Sequence, residues 1–296
     1  MMAFDHTPVL LQEVLEYLRP VSGGVYADVT LGGGGHARAI LERSAPDGRV
    51  VGTDRDPQAV DAARVVLREY GDRVTLRKAR MRDLSEVLRS VGIAQVDGIV
   101  ADLGVSSAQL DQGDRGFSLA KDGPIDMRMD PTEGETALEL IARTDAEELA
   151  NVIYRYGEEG RSRRIARSLR HAYEEGELET TADLRRAVHR AIGPRRSRID
   201  PATRTFQALR IAVNDELSEL ESLLEQLPSV LREGGVAAVI SFHSLEDRMV
   251  KHSFRDSAQL TPLTKRPVMA SDEERQDNPR SRSAKLRAAR RLEVAA

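Results

Sequence analysis

Apolar positions along the chain repeat with two different periods, and the change from one to the other divides the sequence. Residues 8–19, PVLLQEVLEYLR, carry apolar side chains at the spacing of one helix face, and Pro8 suits a first helical turn. Short apolar runs at 25–29, 49–56, 73–79 and 96–103 then predict four strands. Stretches 36–44 and 57–70 predict helices between the first three of them. Strand alternating with helix in this way implies a doubly wound parallel sheet. After residue 103 the alternation stops. Residues 104–135, rich in Gly, Asp and Ser, read as an ordered loop, and 136–192 as several amphipathic helices. Residues 200–227 read as one long helix, with Phe206, Leu209, Val213, Leu217, Leu220 and Leu224 on a single face. Gly234-Gly235 ends that region, and VAAVISF at 236–242 returns as a buried fifth strand. A weak strand or two and a basic tail follow. The pattern predicts one α/β sheet domain, residues 1–108 with 208–296, interrupted by a mainly helical insertion at 109–207.

Composition narrows the chemistry. The chain has no cysteine. That rules out disulfides, thiolate zinc sites, cysteine-ligated iron–sulfur clusters and a cysteine nucleophile. Methylation at C5 of a pyrimidine, which normally needs a thiol to attack C6, is closed, and so is radical methyl transfer built on such a cluster. No histidine pair at i, i+4 accompanies a glutamate, so no metal is expected. No apolar run approaches the roughly 20 residues of a membrane-spanning helix, and the N-terminus lacks the pattern of a secretory signal. A cytoplasmic protein with no membrane partner is expected.

The net charge of −4 is unremarkable, but its distribution is not. Segment 109–150 has four basic and eleven acidic residues, whereas 151–207 has thirteen basic and eight acidic. Arginine runs at 161–170 and 184–198 and a basic run at 278–291 contain no acid. Clustered Arg and Lys are the usual footprint of phosphate contact, and a solvated helix face is the alternative for any single run, but three separate runs favour nucleic acid and make the 109–207 insertion the expected RNA-recognition domain.

Three motifs lie at predicted strand ends. Asp28-Val-Thr-Leu-Gly32-Gly33-Gly34-Gly35-His36 follows the first strand. Its glycines let the backbone approach a ligand, and the next helix offers free N–H groups. Asp54 ends the second strand, 22 residues after Gly32, where a carboxylate accepts ribose hydroxyl protons. Asp56 is equally placed to cap the following helix. Glycines with Asp54 suit an adenosine-type cofactor, a dinucleotide or S-adenosylmethionine. Asp28, in an Asp-x-x-x-Gly-x-Gly pattern, favours the second, because a carboxylate there can hold the methionyl ammonium. The second motif, Asp102-Leu-Gly-Val-Ser-Ser-Ala-Gln109, ends the fourth strand. The third, Ser241-Phe-His243-Ser-Leu-Glu-Asp247-Arg248, follows the fifth. Asp102, Ser106 and His243 are the catalytic candidates, with Ser107 in the same loop. A lone histidine is more often structural, and this applies to His6, His36 and His243 alike.

Longer strings join these motifs, among them His6-Thr-Pro-Val-Leu10, Asp54-Arg-Asp-Pro-Gln58 and Arg115-Gly-Phe-Ser118. Asp122-Gly-Pro-Ile-Asp-Met-Arg-Met-Asp130, Pro201-Ala-Thr-Arg-Thr-Phe-Gln207, Asn278-Pro-Arg-Ser-Arg-Ser283 and Lys285-Leu-Arg287 follow in order. On these strings the sequence resembles, over essentially its whole length, the bacterial ribosomal small subunit methyltransferase H family, also called MraW. The resemblance implies a Rossmann-like class I methyltransferase sheet with an inserted helical domain. It implies N4-methylation of a cytidine in the decoding region of small-subunit rRNA. The implied cofactor is S-adenosylmethionine, bound through positions matching Gly34, Gly35, His36, Asp54, Met81, Asp102 and Gln109. Met81 stands where the family is expected to have an aromatic, so an apolar contact to adenine survives but ring stacking does not. The expected partners are the small ribosomal subunit and its rRNA, and a homodimer is compatible with the sequence. Rival readings are another methyl acceptor, a nicotinamide-dependent dehydrogenase, and an assembly factor that binds cofactor without turnover.

Overall fold

The computed structural model describes residues 8–193 and 200–293. The chain separates into two compact units. One is made of residues up to Gly104 and from Leu217 onward, and the other is Val105–Glu216. His6 and Arg195, Arg196 and Arg198 of the second arginine run lie outside the described residues.

The first stretch of chain runs α1 (Leu11–Leu18), β1 (Val25–Asp28), α2 (Gly35–Arg43), β2 (Arg49–Asp54), α3 (Pro57–Val66), β3 (Val74–Lys78), α4 (Leu84–Ser90) and β4 (Val96–Asp102). A helical stretch follows, with α5 (Ser107–Asp111), α6 (Ala137–Arg143), α7 (Ala146–Gly157), α8 (Ser162–Glu174), α9 (Thr181–Ile192) and α10 (Thr203–Asn214). The return stretch holds α11 (Glu216–Val230), β5 (Leu231–Ser241), α12 (Ser244–Asp256), β6 (Leu260–Pro262), α13 (Asp272–Asp277) and β7 (Lys285–Arg291).

The seven strands form one sheet in the order β3-β2-β1-β4-β5-β7-β6. Strands β1 to β5 are mutually parallel, and β7 runs antiparallel between β5 and β6. This is the Rossmann-like class I methyltransferase sheet expected above. Alternate residues of each strand serve opposite faces, as the period of two demands. Tyr26, Val50, Leu76, Val100 and Ile240 pack with α1, α2 and α3 through Val14, Ile40 and Val60. Ala27, Val51, Ile99, Ala101 and Val239 pack with α4, α11 and α12 through Leu88, Leu224 and Phe254. Strand order reverses between β1 and β4, and the crevice beyond the carboxyl ends of strands at such a point is where ligands of these sheets bind.

Two expectations are corrected. The single helix over 200–227 is two helices, because Asp215 takes a left-handed conformation at φ 53°. Phe206 and Leu209 of α10 enter the core of the helical unit, whereas Leu220 and Leu224 of α11 enter that of the sheet unit. A continuous helix would hold all four on one line. The basic run at 278–291 is not a tail. Its second half is β7, with Leu286, Ala288 and Ala289 in the core. Arg287 is only 6% exposed, and its Nε donates to Asp247 Oδ1 at 2.7 Å. Pairing with β5 satisfies the backbone, and Asp247 neutralises the one arginine that strand alternation turns inward.

The helical unit has its own core, built from Ile141, Leu149, Ile153, Ile165, Leu169, Leu184 and Val188 of α6 to α9. Helices α6 and α9 open with reciprocal capping boxes, Thr136 with Glu139 and Thr180 with Asp183. Among the described residues no helix is long and apolar enough to cross a membrane.

Candidate active site

The turn after β1 is stitched to both neighbouring strands. The Val29 N–H donates to the Val100 carbonyl at 3.1 Å, and the Leu31 N–H to the Thr53 carbonyl at 3.0 Å. Asp54 accepts the Gly32 N–H at 2.9 Å through Oδ2 and the Asp56 N–H at 2.9 Å through Oδ1. Asp56 in turn caps α3 by accepting the Gln58 N–H at 3.0 Å. Asp54 is therefore not the cap of that helix. Gly34 occupies a left-handed conformation at φ 83° just before α2. Gly35 has no room for a side chain, since a Cβ there would lie 2.4 Å from Pro8 Cγ. Helix α2 consequently begins without a cap from its N-cap side chain, and its Ala37 N–H bonds Asp28.

Three carboxylates end three adjacent strands around this turn: Asp54 on β2, Asp28 on β1 and Asp102 on β4. Asp28 is 1% exposed, and its Oδ1 accepts the Thr30 N–H at 3.2 Å. Thr30 Oγ1 accepts the Asp102 N–H at 2.5 Å, so one threonine ties the two strand ends together. Asp28 Oδ2 and Asp102 Oδ1 are buried with no hydrogen-bond partner among the described residues. Burial pushes the Asp28 carboxyl up to about 7, an effect the Thr30 N–H opposes and the Asp54 charge reinforces. Burial likewise raises Asp54 to about 6, against its two backbone donors. Asp102 rises to about 8, through burial first and then the charges of Asp28 and Glu246. Such a group of desolvated carboxylates lowers its energy when a cation arrives. A ligand bearing an ammonium and a sulfonium fits this donor set, with the glycine turn before α2 alongside.

The sign of the pKa shifts sets a stability trend. Each carboxyl holds its proton more tightly in the folded chain than in the unfolded one. From the ordinary carboxylate range up to about 8 the folded state therefore binds more protons, and stability falls as pH rises. His36, lowered to about 4 by burial, acts only below the ordinary histidine range, where stability falls with acid. Ligand-free protein is expected to melt at a lower temperature at pH 8.5 than at pH 6.5, with Asp28→Asn flattening the difference. Equal melting temperatures at the two pH values, read by differential scanning fluorimetry, would refute the assignment.

The other sequence candidates divide. His36 is buried on α2 and bonds the Val9 carbonyl through Nε2 at 3.0 Å. A carbonyl only accepts, so Nε2 carries the proton, and the side chain is committed to structure while its backbone N–H lies in the first turn of α2. His243 caps α12, its Nδ1 accepting the Glu246 N–H at 3.4 Å. Its Nε2 lies 3.2 Å from Glu246 Oε1, is buried and makes no hydrogen bond among the described residues. Ser106 caps α5 by accepting the Gln109 N–H at 3.2 Å, and Gln109 Oε1 returns a bond to the Ser106 N–H at 2.9 Å. Both lie in the helical unit, as does Ser107. Met81 opens a 3-10 turn after β3 and packs half-buried against the core formed by Leu84 and Leu88.

Two residues were missed from sequence. Thr30 is recognisable only once β1 and β4 are neighbours. Glu246 binds the Phe242 N–H at 2.8 Å, and its charge raises Asp102. The His243-x-x-Glu246 spacing of a capping box was the available signal.

Comparison with known proteins bears on this arrangement. The model of the MraW methylase family matches residues 3–292. A ribosomal RNA small subunit methyltransferase H of Sorangium cellulosum (strain So ce56) is 59% identical over 289 residues, covering 97% of this chain and 91% of that one. Proteins of the same name from Cyanothece sp. (strain PCC 7425 / ATCC 29141) and Geobacter sulfurreducens (strain ATCC 51573 / DSM 12127 / PCA) are 53% and 49% identical. Each alignment covers 98% of this chain, with 96% of the first relative and 100% of the second.

Proposed function

This chain belongs to the MraW methylase family, and we propose that it transfers a methyl group from S-adenosylmethionine to N4 of a cytidine in the decoding region of small-subunit rRNA. The observation that carries the reading is the set of three strand-end carboxylates, two with buried unpartnered oxygens, beside the glycine turn that opens α2. The names of the relatives supply the substrate class.

In this reading the backbone N–H groups of Gly34, Gly35 and His36 receive the anionic end of the cofactor. Asp54 would hold the ribose hydroxyls, Met81 would supply an apolar contact for the adenine, and Asp28 would hold the ammonium. The cofactor supplies an electrophilic methyl on a positively charged sulfur. The cytidine amine is a weak nucleophile, because its lone pair is shared with the ring. Asp102 would accept a hydrogen bond from that amine, orient its lone pair, and take up the proton the nitrogen loses when it gains a methyl group. His243 and Glu246 keep the neighbouring turn rigid. Reaching such a pocket requires the base to leave its stack, at a cost of a few kcal/mol that contacts elsewhere on the RNA offset.

The test is transfer of labelled methyl to small ribosomal subunits lacking the modification, followed by nucleoside mass spectrometry. N4-methylcytidine appearing only with enzyme and intact subunits is the expected result. Cofactor binding without incorporation would favour another acceptor, or an assembly factor that does not turn over.

A further inference from the structure

The three basic runs of the sequence meet different fates in the fold. The run at 278–291 supplies β7. In the second run, Arg185 pairs with Asp200 at 2.8 Å, Arg186 with Asp183 at 2.7 Å and Arg190 with Glu177 at 3.2 Å. In the first run, Arg161 donates to the Ile192 carbonyl, and Arg170 donates to the Ile141 and Ala142 carbonyls and to Glu174.

Of the first run, Arg163, Arg164 and Arg167 remain. All three are exposed on the outer side of α8, opposite its buried Ile165, Ala166 and Leu169. None has a carboxylate partner among the described residues, and the one hydrogen bond from these side chains joins Arg167 Nε to the Arg163 carbonyl at 3.2 Å. Their spacing puts like charges at i, i+3 and i, i+4, where they repel one another. Arg163 and Arg164 also stand in the first helical turn, where cations oppose the helix dipole. Helices α6, α7 and α9 of the same unit carry Glu139, Glu147 with Glu148, and Asp183 in that turn, and α8 carries no acid there. The isolated protein thus keeps an electrostatically unfavourable face that any neutral residue would relieve.

We infer that the outer face of α8, through Arg163, Arg164 and Arg167, docks on the phosphodiester backbone of the substrate RNA. Charge complementarity selects a polyanion, and arginine forks match phosphate oxygens in pairs. The inference rests on the reading of the substrate as rRNA.

The experiment compares the full-length protein with a triple variant, Arg163→Gln, Arg164→Gln and Arg167→Gln, in filter binding to small-subunit rRNA across a salt series. The slope of log affinity against log salt is expected to become shallower by roughly two, as three phosphate contacts predict. Affinity at low salt is expected to fall at least about tenfold, with S-adenosylmethionine affinity unchanged by calorimetry. The variant is expected to melt no lower than the parent, because it removes a repulsion. A matching Arg→Lys triple should keep most of the slope, and replacing Arg185, Arg186 and Arg190 by Gln should change it less. An unchanged slope and affinity in the Arg163/Arg164/Arg167 variant, in a parent that methylates subunits, would overturn the docking face alone. A parent with no salt-dependent affinity for rRNA and no methyl transfer would overturn the substrate reading, and the face with it.

Discussion

An Asp102→Asn enzyme is expected to lose at least about a hundredfold in the rate of methyl transfer, the usual scale of a positioned proton acceptor. Asparagine keeps the size and one accepting oxygen but cannot take the proton. It therefore separates proton removal from orientation, and Asp102→Ala should fall further by losing both. The pH profile carries the same information. Free Asp102, raised to about 8, must be ionised to act, so kcat/KM should climb with pH through that value and then level. In the asparagine variant this limb should vanish. Bound cationic cofactor favours the carboxylate, so the corresponding limb of kcat should lie at lower pH. Near-normal single-turnover rates from Asp102→Asn would remove this residue from the mechanism.

Replacing Asn214 by alanine is expected to destabilise the helical unit by about 3 kcal/mol or more. The side chain is 1% exposed at the end of α10. Its Nδ2 donates to the Met127 carbonyl at 2.7 Å and the Arg210 carbonyl at 2.8 Å, and its Oδ1 accepts the Met129 N–H at 2.7 Å. Met127 is buried with φ 62°, a conformation that a long side chain adopts only when its surroundings impose it. Alanine would leave buried backbone groups without partners and release that constraint together. Urea denaturation measures the loss, and Asn214→Asp, which keeps the acceptor but not the donors, should fall between. A change below about 1 kcal/mol in the alanine variant would show that Met127 is held by other means.

Particular residues show how far the site could be read in advance. Asp28, Asp54 and Asp102 were legible because each ends an apolar run, and strand ends are where such sheets bind ligands. Thr30 was not legible, since its bond to Asp102 joins residues far apart in sequence that only the β1–β4 pairing makes neighbours. The contacts of the two described candidate histidines were legible to different degrees. His36 holds the Val9 carbonyl, a contact that leaves no mark on local composition, whereas the capping of α12 by His243 was marked by Glu246 three residues on.

By itself the sequence determined the parallel part of the sheet, the helical character of the insertion and the glycine turn, because hydrophobic period and glycine placement are local properties of the chain. Tertiary structure alone decided where one apolar face breaks. At Asp215 a single left-handed residue sends α10 and α11 into different cores, although periodicity runs on across it. Tertiary structure alone also decided what the basic runs do. Lys285–Arg291 is a strand because β5 offers an edge to pair with and Asp247 a partner for the buried Arg287. Arg163, Arg164 and Arg167 have no carboxylate partner among the described residues, although acids are plentiful in the chain around them. Charge reads the same in one dimension whether or not its partner comes from elsewhere in the chain.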